Sequence, residues 1–121
     1  MKNHEIMSIT STYRQTSGEL RLPAPVAWKR RLNMKKLLEA EAVIQEAVQE
    51  IQRDFSDDEH SIDEGEGRRQ VKSEFLADYT KRINELFDQD TPIEIQKVGI
   101  GDLGTAEISD KEMDTLAFMI E

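Results

Sequence analysis

Apolar residues recur at helical spacing over three stretches of the chain, and the longest of them organises the rest. Beyond Met34, the residues Leu37, Ile44, Val48, Ile51 and Phe55 follow at steps of three, four and seven, and Glu41 stands where the stripe asks for an apolar side chain. Leu38 and Val43 widen the stripe. Such steps return side chains to one face of a helix. The pattern therefore predicts a single helix from Pro23 to Phe55, about 48 Å long at about 1.5 Å per residue. Pro25 suits its first turn, where a missing N–H has no intrahelical partner to lose. So long a helix outreaches a compact domain of this size and needs another element, or another copy of the chain, alongside it.

A second periodic stretch runs from Arg68 to Asp88, with Val71, Phe75, Tyr79, Ile83 and Leu86 on one face. It predicts a shorter helix folding back on the first as an antiparallel hairpin. The third is announced by Ser109-Asp-Lys-Glu112, a capping-box pattern, before Met113, Leu116, Ala117 and Ile120. Between them Ile93 and Ile95 alternate with Glu94 and Gln96, which predicts a strand over 93–98 available to pair with the N-terminal arm. The arm, residues 5–22, reads two ways. Met7, Ile9, Ser11 and Tyr13 alternate as in a strand, with Thr16-Ser17-Gly18 as a turn, whereas Ile6, Ile9 and Tyr13 also fit one side of a short helix. The expected fold is α+β, mostly α: a long antiparallel helical hairpin with a small β element and a short C-terminal helix. Residues 1–22 form the N-terminal arm or hairpin, and 23–121 a single helical-hairpin domain with an acidic loop at 56–67.

Composition supports helices that each need one apolar stripe: 37% of the residues are hydrophobic and 34% charged. Charge changes the picture more. Residues 1–36 hold eight Lys/Arg against two acids, whereas residues 37–121 hold eight against 23, so a chain of net charge −9 has a basic first third. Within it, Pro23 to Lys36 carries five Lys/Arg, no acid and the one tryptophan. Trp28, Lys29, Arg30, Arg31, Lys35 and Lys36 are the candidate binding residues. Trp28, Arg31 and Lys35 follow at steps of three and four, so an indole and two cations share a face. Such a face can stack a base and hold phosphates, or receive the acid of a partner or neighbouring subunit. Alternatively Trp28 closes the end of the core and the cations solvate it.

The opposite charge gathers at Asp57, Asp58, Glu59, Asp63, Glu64 and Glu66, where two glycines and no base predict a mobile acidic loop. These acids are a candidate surface for mimicking nucleic acid. Their spacing does not match a calcium loop, and His60 reads as a surface residue. Gly99-Ile-Gly-Asp-Leu-Gly104 has the spacing of a dinucleotide fingerprint. Too little chain follows to complete a βαβ unit, however, and Asp102 would face the phosphates.

The absence of cysteine excludes disulfides, thiolate metal sites and thiol nucleophiles, and points to a reducing cytosol. His4 and His60 are the histidines, and no serine sits in a G-x-S-x-G setting. No apolar run approaches a membrane span, and the first residues lack the apolar centre of a signal peptide. The expectation is a non-enzymatic binding or assembly protein of the cytoplasm. It has no cofactor, metal or membrane partner, and it associates with itself, with another protein or with a nucleotide.

One resemblance adds to this. Leu22-Pro23-Ala-Pro-Val-Ala27-Trp28-Lys29, then Asn33 and Lys36-Leu37, an acidic helix, Phe75, Asn84-Glu85-Leu86 and Leu116-Ala-Phe-Met-Ile-Glu121 resemble small proteins of tailed bacteriophages and prophages, near the DUF1617 type. The resemblance spans about residues 20–121. It implies a phage product acting in a bacterial host cytoplasm as a protein binder, with inhibition of a host defence protein among the implied roles.

Overall fold

The computed structural model describes residues 1–15, 21–104 and 108–121. Its first element is a helix, α1 (Asn3–Gln15), so the strand reading of the arm is corrected. Asn3, Ile6 and Thr10 are its buried residues, a step of three and then four. The reason is tertiary: Ile6 finds an apolar bed of Met34, Leu37 and Ile44, which a strand of alternating Met7 and Ile9 would not fill. The turn expected at Thr16-Ser17-Gly18 lies outside the described residues.

The long helix is α2 (Ala24–Asp54), 31 residues and about 46 Å, with Pro23 extended before it at φ −52° and ψ 143°. Its stripe feeds three packing regions in turn. Val26 joins Val98, Leu103, Leu116 and Met119 at one end. Met34, Leu37 and Ile44 meet α1 in the middle. Near the far end Ile51 and Phe55 are buried, and the Phe55 ring meets that of Tyr79 edge to face at 5.4 Å. Glu41 is buried in the stripe because Arg14 reaches it from α1 with two guanidinium nitrogens, one at 2.5 Å. These bonds hold the Glu41 carboxyl below its ordinary pKa against the opposing effect of burial, with Thr10 assisting.

The acidic stretch is not a mobile loop. It forms an antiparallel hairpin of β1 (Ser61–Gly65) and β2 (Arg68–Val71). The two residues at its tip, Glu66 and Gly67, both have positive φ, 54° and 76°, as a type I′ turn requires. Arg69 on β2 donates to Ser61 Oγ at 2.7 Å and to Asp58 at 2.8 Å, supplying a counter-charge from outside the acidic run. The second helix, α3 (Ser73–Phe87), accordingly starts later than the periodicity of Val71 suggests. It runs antiparallel to α2: Tyr79 and Arg82 meet Phe55 and Asp54, while Phe87 reaches back to the cluster of Leu37 and Ile44. The N-terminus of α1 closes its far end, where Asn3 Nδ2 donates to Leu86 O at 2.8 Å and Asn3 Oδ1 accepts from the Thr91 hydroxyl at 2.5 Å.

Residues 93–98 do not form the expected strand, and among the described residues the N-terminal arm makes no bridge to them. Val98 alone is bridged, to Ile120 in parallel. The final helix, α4 (Asp110–Leu116), shows the serine half of the expected capping box: the Glu112 N–H donates to Ser109 Oγ at 3.2 Å, whereas the Glu112 carboxylate accepts from the Ser109 hydroxyl at 2.9 Å and not from its backbone N–H. Among the described residues no helix is long and apolar enough to cross a membrane.

Candidate functional site

The first turns of α2 sort the basic run onto two flanks, because successive residues lie about 100° apart around a helix axis. On one flank Lys29, Asn33 and Lys36 form a row that grips the backbone of residues 94–97. Lys29 Nζ donates to Lys97 O at 3.3 Å, Asn33 Nδ2 to Gln96 O at 2.9 Å, and Lys36 Nζ to Glu94 O at 3.0 Å. Asn33 also accepts from the Gln96 N–H at 2.7 Å. Two of the six candidate binding residues, Lys29 and Lys36, are thus engaged by the chain's own carbonyls.

On the other flank Trp28, Arg31 and Lys35 border an open pocket of about 680 Å³ whose wall includes Tyr13, Leu22 and Leu38. Trp28 is 61% exposed, so the indole does not close the core; Val26, 2% exposed, does that. Arg30 dips into the wall beneath it. Its guanidinium carbon lies 5.0 Å from the centroid of the Tyr13 ring, a cation–π contact, and its buried Nε has no hydrogen-bond acceptor. Burial lowers the Arg30 pKa from its ordinary value, an effect that Tyr13 opposes. Among the described residues Arg30, Arg31 and Lys35 take part in no ion pair. The pocket therefore presents an indole, a phenol ring and three cations that are in no ion pair among the described residues, in a chain of net charge −9.

At the other end of α2 the acidic candidates divide similarly. Asp57 Oδ1 accepts from the His60 N–H at 2.9 Å and lies 2.6 Å from His60 Nδ1, which holds its carboxyl below the ordinary range. Asp58 pairs with Arg69, and Asp63 accepts from the Gly65 N–H at 2.8 Å. Glu59, Glu64 and Glu66 are exposed and, among the described residues, in no ion pair. Oxygens of Asp57 and Glu59 and a ring nitrogen of His60 lie within 4.8 Å of one another, but the turn that opens the hairpin already accounts for this arrangement. His60 is not simply a surface residue, since its ring packs against Phe55 and Phe75 at 5.5 and 4.6 Å. At Gly99 to Gly104 the Asp102 carboxylate accepts the Gly99 N–H at 2.8 Å, occupying the place a phosphate would need.

Two features were not read from the sequence. One is the unsatisfied Arg30 Nε, for which nothing in the local pattern is a signal. The other is a groove of about 1110 Å³ along the outer face of α3, lined by Leu76, Ala77, Thr80 and Phe87 with His4; the doubled apolar positions Leu76 and Phe87 were its only trace. No family model, curated protein or solved structure matches the chain.

Proposed function

We propose that the chain is a non-enzymatic protein-binding and assembly module of phage type, acting in a bacterial cytoplasm, whose Trp28 pocket receives an acidic segment of a partner protein. The observation that carries this reading is an exposed indole flanked by Arg31 and Lys35, two exposed cations that among the described residues take part in no ion pair. Arg31 and Lys35, both exposed beside the indole, are accessible to an entering carboxylate. The excess acid elsewhere repels any polyanion at long range, and repels a densely charged polyphosphate backbone more strongly than a short acidic segment. A host defence protein is one partner class that fits, with the pocket serving to hold and inhibit it.

A glutamate-rich peptide titrated into the protein tests this through Trp28 fluorescence. The signal is expected to saturate, to weaken with salt and to vanish in Arg31→Glu/Lys35→Glu while circular dichroism stays unchanged. A flat titration overturns the reading. The exposed Trp28 face also favours a second reading, binding of a nucleotide or nucleic acid by base stacking over phosphate-holding Arg31 and Lys35. A response to mononucleotides with none to the acidic peptide would establish that alternative instead.

A further inference from the structure

Resting on that protein-binding reading, we propose that the acidic partner is a second copy of this chain, whose β1–β2 hairpin enters the Trp28 pocket to build a head-to-tail assembly. The hairpin has the shape of a ligand. Every residue from Ile62 to Gln70 is exposed, so the ribbon stands clear of the body with both faces uncovered. A two-stranded ribbon left so is marginal in water and gains from being covered. The Arg69 bonds to Ser61 and Asp58 nevertheless brace its base, so less order is lost on docking than for a free loop.

Its chemistry matches the pocket. Between Asp57 and Arg69 six carboxylates face two arginines, and Arg69 is turned inward onto Asp58 and Ser61. Ile62, 55% exposed on β1, supplies an apolar side chain for the wall of Trp28, Leu22 and Leu38. Glu64 and Glu66 supply carboxylates for Arg31 and Lys35.

The partner must be another molecule. Trp28 and Asp54 are separated by roughly 39 Å of continuous helix, so a hairpin that leaves the far end of α2 cannot return to the pocket of its own chain. Two different surfaces at opposite ends of one helix make the contact heterologous. Each added copy leaves one free pocket and one free hairpin, and growth stops only if the rotation closes a ring. The net charge of −9 opposes association at long range, but at physiological salt that repulsion is screened beyond about 8 Å, leaving the local contact in control.

Sedimentation velocity of the full chain tests the assembly. The wild type is expected to sediment faster as its concentration rises and to return to monomer between about 0.1 and about 1 M salt. Arg31→Glu/Lys35→Glu in the pocket, or Glu64→Lys/Glu66→Lys at the hairpin tip, is expected to weaken association at least about ten-fold, because like charges then meet. The mixture is the decisive arm. Pocket-reversed and hairpin-reversed chains each retain one good surface, and their reversed surfaces carry opposite charges, so together they associate although each alone stays monomeric. A wild type that stays monomeric at every concentration, variants that assemble as the wild type does, or a mixture that remains two monomers overturns the proposal. If the glutamate-rich peptide still saturates Trp28 fluorescence while the wild type stays monomeric, the self-partner is wrong and the acidic-segment reading survives. If the peptide also fails, both fall.

Discussion

Asn33, on the core side of α2, holds the backbone of Gln96 by both its polar groups: Oδ1 accepts from the N–H at 2.7 Å and Nδ2 donates to the carbonyl at 2.9 Å. A side-chain amide thus does the work of a neighbouring strand. This is how residues 93–98 are held against α2 without belonging to a sheet. Asn33 is fully buried, so removing it strands two backbone groups away from water.

Replacing Asn33→Leu is therefore expected to cost about 3 kcal/mol, which urea denaturation would read. Asn33→Asp keeps the acceptor but sets a carboxylate against the Gln96 carbonyl, so it should not rescue the protein. An unchanged denaturation midpoint for Asn33→Leu would show that the segment is held by its apolar contacts alone.

The Arg14–Glu41 pair predicts how the protein responds to acid. The folded-state pKa of Glu41 is depressed, chiefly by Arg14, so its contribution is present above the unfolded value of about 4.3 and is lost as pH falls through the lower folded value. Arg14→Ala leaves burial as the main influence and pushes the Glu41 pKa upward, so the sign reverses. Urea midpoints at about pH 7 and about pH 4 should fall on acidification in the wild type, fall less or rise in Arg14→Ala, and change least in Arg14→Met/Glu41→Leu.

Trp28 and Leu37 separate surface from core on one helix. Trp28→Ala is expected to change stability by no more than about 0.5 kcal/mol while removing the ligand-sensitive fluorescence. Leu37→Ala, at a position with no exposure, is expected to cost about 3 kcal/mol. A large loss of stability on removing Trp28 would return the indole to the role of a core cap.

Arg69 holds the acidic hairpin together through Ser61 and Asp58. Arg69→Ala should leave thermal unfolding of the helical body nearly unchanged. Amide exchange within Ser61–Gly65 and Arg68–Val71 should quicken about ten-fold, equivalent to about 1.4 kcal/mol of local opening. Protection that survives the substitution would place the source of the hairpin's order in its tip.

The legible parts of this fold carry their signals locally. The stripe from Met34 to Phe55, the prolines before it and the Ser109–Glu112 cap each announce a helix within a few residues, because helical hydrogen bonds and caps join near neighbours. The helix at Asn3–Gln15 was legible only as one of two patterns, and Ile6 chose between them by packing on Met34, Leu37 and Ile44. The hairpin was missed because its second strand begins with Arg68, after the acidic run, where the helical periodicity of Val71 and Phe75 masked it. Its tip, Glu66-Gly67, also lacks the Asn-Gly or Asp-Gly form that marks such a turn along a sequence.

The division of the candidate site has the same origin. By itself the sequence established that five cations and an indole open a long helix in an acidic chain, and that Trp28, Arg31 and Lys35 share a face. Only the tertiary structure decided that Lys29 and Lys36 bind carbonyls more than fifty residues away, and that Arg30 lies over Tyr13 with its Nε unsatisfied. Helical phase is set by bonds between near neighbours and can be read along the chain. Which flank of the helix is covered depends on contacts between distant segments, and those exist only once the chain has folded.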